Sequence, residues 1–337
     1  MGHEMRVGVL GAAGMVGGQL LRLLEEKALP LAELRLFATA RSAGLAIPFA
    51  GEKLTVEEVG PGSFRGLDFA FFCATAEAAR EHAPMAADAG CVVIDKSRAF
   101  RMDPDVPLAV PEVNPQALRR HRGIIASPNC STIQLVMALN PLHRAAGIRR
   151  VVVATYQSVS GTGREAVAEL RRQAEAFLAG REGAAEVYPQ PIAFNLFPHI
   201  DEFGPHGYSG EEVKLVEETR KILEAPGLRL TATTVRVPVF VGHAEAVNVE
   251  LDRRVTRQEA LDLLRAQPGL VLVEEGYPTP LAVAGSDDVF VGRVREDASA
   301  ENALDLWVVA DNLRKGAATN AVQIAQFLWK GSPQSCG

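Results

Sequence analysis

The 337-residue chain is poor in cysteine, with only Cys73, Cys91, Cys130 and Cys336. None of the four forms a C-x-x-C pair, so the sequence predicts no zinc knuckle, no redox dithiol and no other metal site. Cys73 and Cys91 lie at apolar runs typical of buried strands, where a thiol behaves as a small hydrophobic group. Cys336 lies in a polar tail. Only Cys130 has surroundings of a different kind.

The chain also lacks any apolar run near the ~20 residues that cross a bilayer. Its formal net charge is -6 and no long lysine- or arginine-rich run occurs, which disfavours nucleic acid and anionic membranes as partners. The first five residues lack the basic and then apolar pattern of a secretory signal. These absences favour a cytoplasmic enzyme that acts on small molecules.

The first part of the sequence has a repeated strand–helix pattern. An apolar run at 5–10 is followed by a glycine-rich turn, a leucine-rich helical segment and a second strand at 34–38, which together form a βαβ unit. Further strands are predicted at 68–74, 91–95 and 123–126, with a helix at 76–89. This pattern predicts an α/β, Rossmann-type doubly wound nucleotide-binding domain over residues 1–127.

The pattern changes after about residue 127, and a second domain is expected because 337 residues exceed one ordinary core. Strands without regular crossovers predict an α+β domain with a mixed or antiparallel sheet over residues 128–312. A last apolar helix is expected to return to the first domain, which residues 313–337 would complete. Helices are predicted at 130–145, 162–179, 210–224, 256–265 and 313–330, and strands at 150–156, 229–237, 245–251, 270–274, 289–295 and 303–310.

The glycine-rich turn carries the first candidate site. Its glycines follow a G-x-x-G-x-x-G pattern at Gly11, Gly14 and Gly17, directly after a strand and before a helix. Glycine lets the backbone approach a pyrophosphate, and a helix N-terminus offers N–H groups and a positive dipole end. The spacing departs from the usual G-x-G-x-x-G, so a strand–helix turn that binds nothing is the alternative.

The end of the second strand indicates which dinucleotide would bind. NAD sites commonly carry an acidic residue there for the ribose 2′-hydroxyl, but the segment Phe37–Ser42 has none. Arg41 and Ser42 offer a guanidinium and a hydroxyl that suit a 2′-phosphate. Arg41 could instead be a solvated surface charge. The absence of the carboxylate favours NADP.

Cys130 lies in Ser127-Pro128-Asn129-Cys130-Ser131-Thr132, which leads into an apolar helix. Pro, Asn, Ser and Thr are typical of helix starts, so Cys130 is predicted in the first turn. A helix N-terminus favours the reactive thiolate. A buried structural cysteine is the alternative.

A second polar group favours the catalytic interpretation of Cys130. Arg236 and His243 flank an apolar segment, with Gly242 beside the histidine. Arginine can bind a carboxylate through two hydrogen bonds, and histidine exchanges protons near neutral pH. Gln157 and the following residues up to Gly163 add polar groups at the end of a strand. Alone, His243 would more often be structural.

Together these segments resemble the aspartate-β-semialdehyde dehydrogenase family, over essentially the whole chain. The most specific matches are Ser127–Gln134 and the seven-residue spacing from Arg236 to His243. The other matching segments are Gly11–Gly17, Ala99–Arg101, Val110–Asn114, Tyr156–Gly161, Pro198–Asp201, Glu211–Lys214 and Ala310–Ala317.

The resemblance implies a role for each matching residue. Cys130 would be the acylated nucleophile, His243 the acid/base group and Gln157 the residue that orients the substrate. The substrate-binding residues would be Arg236 for the α-carboxylate, Glu211 for the amino group, and Lys214, Arg101 and Asn129 for the phosphate. The cofactor-binding residues would be Gly11, Ala13, Gly14, Met15, Val16, Arg41, Ser42, Ser160, Gly161 and Asn312.

The resemblance also implies NADPH-dependent reductive dephosphorylation of L-4-aspartyl phosphate in lysine, threonine and methionine biosynthesis, by a homodimer. N-acetyl-glutamyl-phosphate reductase is the nearest alternative enzyme, and Glu211 favours a substrate with a free ammonium over an acetylated one. A non-catalytic NADP sensor would be expected to lack the cysteine or the histidine. Two departures from the family pattern are Lys96 and Arg98 after Asp95, and Ala74–Ala78 in place of a glycine- and serine-rich turn.

Overall fold

The computed structural model describes residues 4–330, except for the side chain of Arg41. These residues form two compact units, one of residues 4–129 with 317–330, the other of Cys130–Gly316. The strands are β1 Met5–Leu10, β2 Leu31–Ala38, β3 Ala46–Phe49, β4 Glu52–Glu58, β5 Phe69–Phe72, β6 Val92–Asp95, β7 Ile124–Ala126, β8 Ile148–Gln157, β9 Arg229–Arg236, β10 His243–Leu251, β11 Leu270–Val273, β12 Val289–Glu296 and β13 Ala303–Ala310.

Both units also contain α-helices, and three short segments are 3-10 or π-helical. The α-helices are α1 Met15–Glu26, α2 Ala76–Asp88, α3 Pro115–Leu118, α4 Cys130–Ala146, α5 Arg164–Leu178, α6 Gly210–Ile222, α7 Arg257–Arg265, α8 Pro280–Val283 and α9 Asn320–Lys330. The other segments are 3-10 turns at Ala40–Ser42 and Val159–Gly161 and a π-helical segment at Arg314–Thr319.

The first unit contains a seven-stranded sheet in the order β3-β4-β2-β1-β5-β6-β7. All pairs are parallel except the edge pair of β3 with β4. β5 reads Phe-Ala-Phe-Phe with all four residues buried, as expected for a parallel strand covered on both faces. The six parallel strands follow the order of a doubly wound dinucleotide-binding sheet, and the predicted α/β fold class is confirmed.

Helix α9 belongs to the first unit. Its residues Val322 and Ile324 share a buried core with Leu20 and Leu24 of α1. The sequence predicted one continuous helix over 313–330, and the structure instead has a π-helical segment before α9. Residues 331–337, which were also predicted to complete the first domain, lie outside the described residues.

The second unit contains a six-stranded sheet in the order β11-β12-β13-β10-β8-β9. β11 with β12 and β8 with β9 are parallel, and the pairs formed by β10 and β13 are antiparallel, so the predicted mixed sheet is confirmed. Alternate residues of β8 are buried beneath helix α4, and the others are half-buried on the opposite face. This sheet places the carboxyl ends of β8 and β9 beside the start of β10.

Candidate active site

The glycine-rich turn after β1 fits a nucleotide phosphate. Gly11 has φ +88°, and a Cβ there would lie 2.6 Å from the carbonyl oxygen of Cys73, the residue that follows β5. A Cβ on Gly17 would overlap the carbonyl oxygen of Gly11. Gly14 is exposed and caps α1 without a side-chain hydrogen bond to the helix. The turn therefore leaves its backbone accessible where strand order reverses, which is where such sheets bind ligands.

The remaining predicted cofactor contacts of the first unit lie near this turn or after β2. Ala13, Met15 and Val16 are half-buried at the start of α1. Ser42 ends the 3-10 turn that follows β2, and its N–H donates to the Thr39 carbonyl oxygen at 3.0 Å. The side chain of Arg41 lies outside the described part of the chain.

Cys130 is the first residue of α4 and is half-buried. The first turn of α4 contains no acidic residue, so the helix N-terminus stabilises a thiolate without opposition from a neighbouring carboxylate on that turn. The backbone of Gly316 lies against it, because a Cβ on Gly316 would come within 2.9 Å of the Cys130 Cβ.

His243 is fully buried at the start of β10, and its ring accepts a hydrogen bond at Nδ1. The backbone N–H of Ser158 donates to Nδ1 at 3.1 Å. Because that hydrogen bond uses the Nδ1 lone pair, the resting ring carries its hydrogen on Nε2. Nε2 has no hydrogen-bond partner among residues 4–330. Burial and the nearby Arg236 lower the pKa of His243 to about 3, so the resting ring is neutral.

Arg236 ends β9 and is the register partner of Gln157 at the end of β8. It is buried, and its Nη1 donates to the Ser158 carbonyl oxygen at 2.6 Å. Gly161 lies against both functional groups, since a Cβ there would be 3.2 Å from Arg236 Nη1 and 3.3 Å from His243 Nε2. Gly161 therefore keeps open the space in front of the guanidinium and the imidazole.

Glu211 and Lys214 come from the first turns of α6, which begins with a capping box formed by Ser209. Gln157 Nε2 donates to Glu211 Oε1 at 3.2 Å, and Lys214 Nζ donates to Glu211 Oε2 at 3.0 Å. Lys214 also pairs with Asp201 at 2.9 Å. Burial lowers the pKa of Lys214, but the two carboxylates outweigh it and the net shift is upward. Glu211 is 5% exposed, so it is not part of a solvated surface pair.

The predicted anion-binding residues of the first unit are also buried. Arg101 is 8% exposed and its Nη2 donates to the Lys96 carbonyl oxygen at 2.8 Å, while Asn129 precedes Cys130 and is 8% exposed. Lys96 Nζ donates to Ser127 Oγ at 2.8 Å, which ties it to the turn before α4. Arg98 is exposed. Of the two cations that depart from the family pattern, Lys96 is thus hydrogen-bonded to Ser127 and Arg98 is exposed to solvent.

Ser160 and Asn312, both predicted as cofactor contacts, are buried and bonded to each other. Asn312 Oδ1 accepts from Gly242 N at 2.8 Å and from the hydroxyls of Ser158 and Ser160 at 3.1 Å each. The second unit thus brings Gln157, Ser160, Gly161, Glu211, Lys214, Arg236, His243 and Asn312 to one edge of its sheet.

Sequence reasoning missed Glu245, two residues after His243 on β10. Glu245 is fully buried, and neither of its carboxyl oxygens has a hydrogen-bond partner of normal geometry in the described part of the chain. Burial raises its pKa well above the usual range, and the Gln134 amide opposes that only in part. The apolar alternation of β10 could have placed Glu245 in the core, beside the histidine.

Replacing Glu245 with glutamine is expected to stabilise the protein at neutral pH. A raised pKa in the folded state gives stability that is complete below the unfolded pKa and lost as the pH rises towards the folded one. Denaturant unfolding at pH 4 and pH 7 should therefore show that the free energy of unfolding of Glu245→Gln increases relative to that of the wild type as the pH rises. A variant that loses stability relative to the wild type at pH 7 would mean an ionised, paired Glu245.

No group of three or more His, Cys, Asp or Glu side chains within residues 4–330 is arranged to hold a metal ion. No helix in the same range is both long enough and apolar enough to cross a membrane.

Comparison with known proteins places these residues in a family context. Residues 6–121 match the family model described as the semialdehyde dehydrogenase NAD binding domain, and residues 139–315 match the semialdehyde dehydrogenase dimerisation domain. An aspartate-semialdehyde dehydrogenase from Aquifex aeolicus is 48% identical over 333 residues, covering 96% of this chain and 98% of that protein. The chain belongs to the aspartate-semialdehyde dehydrogenase family.

Further members of the aspartate-semialdehyde dehydrogenase family support the same assignment. The Bacillus subtilis protein of that name is 46% identical, covering 98% of this chain and 99% of that protein. A crystal structure of the Vibrio cholerae aspartate semialdehyde dehydrogenase II, complexed with ASA, is 46% identical and superposes with a TM-score of 0.94 over 97% of this chain and 98% of that one. A Candida albicans member with NADP is 26% identical, with a TM-score of 0.77 over 97% of this chain and 98% of that one.

Proposed function

We propose that the chain is an NADP-dependent aspartate-semialdehyde dehydrogenase, which converts L-4-aspartyl phosphate to L-aspartate 4-semialdehyde and phosphate. This reaction serves lysine (through diaminopimelate), threonine and methionine biosynthesis. The observation that carries the proposal is the pair of opposite charges on either side of Gln157. The amide bonds to the buried Glu211 carboxylate, and Arg236 is its register partner on the neighbouring strand. An α-amino acid presents the matching ammonium and carboxylate.

The residues of the first unit fit NADP. The close approach of Gly11 and Gly17 to neighbouring backbone closes a tight turn, the exposed Gly14 leaves that turn accessible to a pyrophosphate, and α1 begins there without a side-chain cap. The end of β2 has no carboxylate, and Arg41 and Ser42 are suited to a 2′-phosphate. Ala13, Gly14, Met15 and Val16 would supply backbone contacts. Ser160, Gly161 and Asn312 stay proposed cofactor contacts on the resemblance to the family. When bound, NADPH supplies a hydride.

Cys130 carries the substrate in this proposal. Its thiolate attacks the acyl carbon of aspartyl phosphate, the C–O bond to the phosphate breaks, and phosphate leaves as the thioester forms. The thioester carbon accepts the hydride, and the resulting thiohemiacetal oxyanion collapses to the aldehyde while Cys130 leaves as a thiolate. Dividing the reduction into two steps lowers the barrier of each. By the resemblance to the family, Arg101, Asn129 and Lys214 are the proposed phosphate-binding residues.

His243 manages the proton at Nε2. With hydrogen on Nε2, the ring donates to the oxygen that becomes negative in the tetrahedral adducts. Ser158 Oγ lies 3.1 Å from Nδ1 and can accept a hydrogen bond from it. In that second tautomer Nε2 can accept the thiol proton of Cys130, which then passes to the departing phosphate.

Replacing Arg236 with lysine is expected to raise KM for aspartate semialdehyde by about 10- to 100-fold, because an ammonium cannot reproduce the two-pronged grip of a guanidinium. KM for NADP should stay near the wild-type value. Steady-state kinetics with each substrate varied in turn measures both constants. An unchanged KM for the aldehyde would assign Arg236 a structural role instead.

The activity is proposed for a cytoplasmic homodimer. The second unit matches a family domain described as a dimerisation domain, and one face of its sheet carries half-buried Tyr156, Phe290 and Trp307. Helix α5, Arg164–Leu178, is a second candidate for the dimer interface. Cys73, Cys91 and Cys130 are free thiols, which suits a reducing compartment. Light scattering of the purified protein and fractionation of the source cells test these two points.

The decisive assay for the substrate is phosphate-dependent reduction of NADP in the reverse direction. L-Aspartate semialdehyde should support turnover, and N-acetylglutamate semialdehyde should support at least about 100-fold less, because the acetylated nitrogen has no charge for Glu211. The value of kcat/KM should be much lower with NAD than with NADP. Arg41→Ala should reduce the ratio of these two values. Activity with the acetylated aldehyde alone would overturn the proposal.

A further inference from the structure

The connection between β13 and the π-helical segment, residues 311–316, reaches both reacting groups of the second unit. β13 ends at Ala310, which is the register partner of His243. At the other end of the same connection, a Cβ on Gly316 would lie 2.9 Å from the Cys130 Cβ and 3.3 Å from its Cα. One short stretch of chain thus runs from the strand that pairs with the acid/base residue to the backbone that touches the nucleophile.

This connection is fixed by its own hydrogen bonds. The N–H of Gly316 donates to the Asp311 carbonyl oxygen at 3.1 Å, an i to i−5 bond that adjoins the π-helical segment. Such turns are rare and are frequent at functional sites. The Asp311 carboxylate is 4% exposed and accepts from the N–H groups of Leu313 and Arg314, and from that of Gly285 on another loop.

Asn312 links the connection to His243. Its Oδ1 accepts from the N–H of Gly242, the residue before the histidine, at 2.8 Å. It also accepts from the hydroxyl of Ser158, whose backbone N–H donates to His243 Nδ1. Asn312 is 3% exposed, so one amide oxygen holds the two neighbours that set the position and the orientation of the imidazole.

We propose that residues 311–316 act as a spacer that sets the separation of Cys130 and His243, with Asn312 and Gly316 as positioning residues. The proposal rests on the proposed function for the roles of Cys130 and His243. A misplacement of about 1 Å at a reacting group can cost about 100-fold in rate. Any side chain at Gly316 must displace the first turn of α4, because it would meet Cys130 at its Cβ and backbone and not at a flexible end.

Gly316→Ala is expected to lower kcat by about 10- to 100-fold and leave KM for NADP within about twofold of the wild type. Alkylation of Cys130 by iodoacetamide should slow near neutral pH, since the thiolate leaves its place at the helix N-terminus and a smaller fraction of the thiol is ionised. Gly227→Ala is the matched control, because no heavy atom lies within 4 Å of its Cβ position and its φ is not positive. That variant should match the wild type in all three measurements.

Asn312→Ala is expected to lower kcat, measured at saturating NADP, by about tenfold or more, whereas loss of a contact with the cofactor alone would raise only KM for NADP. Asn312→Asp restores an acceptor oxygen and should recover part of that loss. If Asn312→Ala raises KM for NADP and leaves kcat unchanged, the residue is a cofactor contact and its positioning role is overturned.

Thermal unfolding separates these outcomes from loss of the fold. If Gly316→Ala does not fold, the two Asn312 variants decide the proposal. Alkylation needs no substrate, so a wild-type protein without dehydrogenase activity would refute the proposed function and still leave the spacer open to test. Wild-type kcat and wild-type alkylation rates in both Gly316→Ala and Asn312→Ala would overturn the spacer.

Discussion

Replacing Cys130 with alanine is expected to lower kcat by at least about 10^4-fold, because the variant has no atom that can form the thioester. The fold and the affinity for NADP should be retained, since Cys130 is half-buried and alanine is a good helix former. Steady-state assays in both directions, with NADP affinity measured by fluorescence titration, check the two parts.

Cys91→Ala is the matched control for that experiment. Cys91 is buried in the first unit, and burial raises the pKa of its thiol to about 12, so it cannot act as a nucleophile at neutral pH. Its variant should keep wild-type kcat. Substantial turnover by Cys130→Ala would show that the reaction does not pass through a cysteine thioester.

Replacing His243 with glutamine is expected to lower kcat by about 10^2- to 10^4-fold, the usual contribution of a positioned acid/base group.

The pH profile of the wild-type kcat/KM should lack the acid limb that an ordinary histidine would give. Because the pKa of His243 in the resting enzyme is about 3, kcat/KM should show no loss attributable to this histidine between pH 8 and pH 5. An acid limb near pH 6.5 that disappears in His243→Gln would contradict the neutral ring.

The same pKa has a consequence for stability. A histidine whose folded-state pKa lies below its ordinary value contributes stability that is complete above the ordinary pKa. That contribution is lost as the pH falls from about 6.5 towards 3. His243→Gln should therefore lose less stability than the wild type over this interval, which denaturant unfolding at several pH values measures.

The fold was largely predictable because its strands carry the signals that sequence patterns report. β1 and β5 are short apolar runs next to turn residues, and the glycine-rich turn follows β1 directly. The pair of β3 and β4 was missed, because β4 reads Glu-Lys-Leu-Thr-Val-Glu-Glu and is mostly exposed beside the edge strand β3. The π-helical segment was missed because the apolar pattern of 313–330 does not distinguish a π-helical turn from an α-helical one.

The candidate site was less predictable, since its residues are distant in sequence. Cys130 and His243 could be selected from local pattern, but the hydrogen bonds of Gln157 to Glu211 and of Asn312 to Gly242 join residues 54 and 70 positions apart. Asp201 could not be identified from sequence spacing as the ion-pair partner of Lys214. In each case the tertiary register, and not the local sequence, decides the partner.

Peptide mass spectrometry tests most directly whether an aspartyl group is carried on Cys130. The enzyme is mixed with L-4-aspartyl phosphate in the absence of NADPH, quenched in acid and digested. The account predicts a mass increase of one aspartyl group on the peptide that contains Cys130, no such increase in Cys130→Ala, and loss of the adduct when NADPH is added before the quench. A wild-type enzyme that turns over once NADPH is supplied, but never carries the adduct on Cys130 in its absence, would contradict the thioester route.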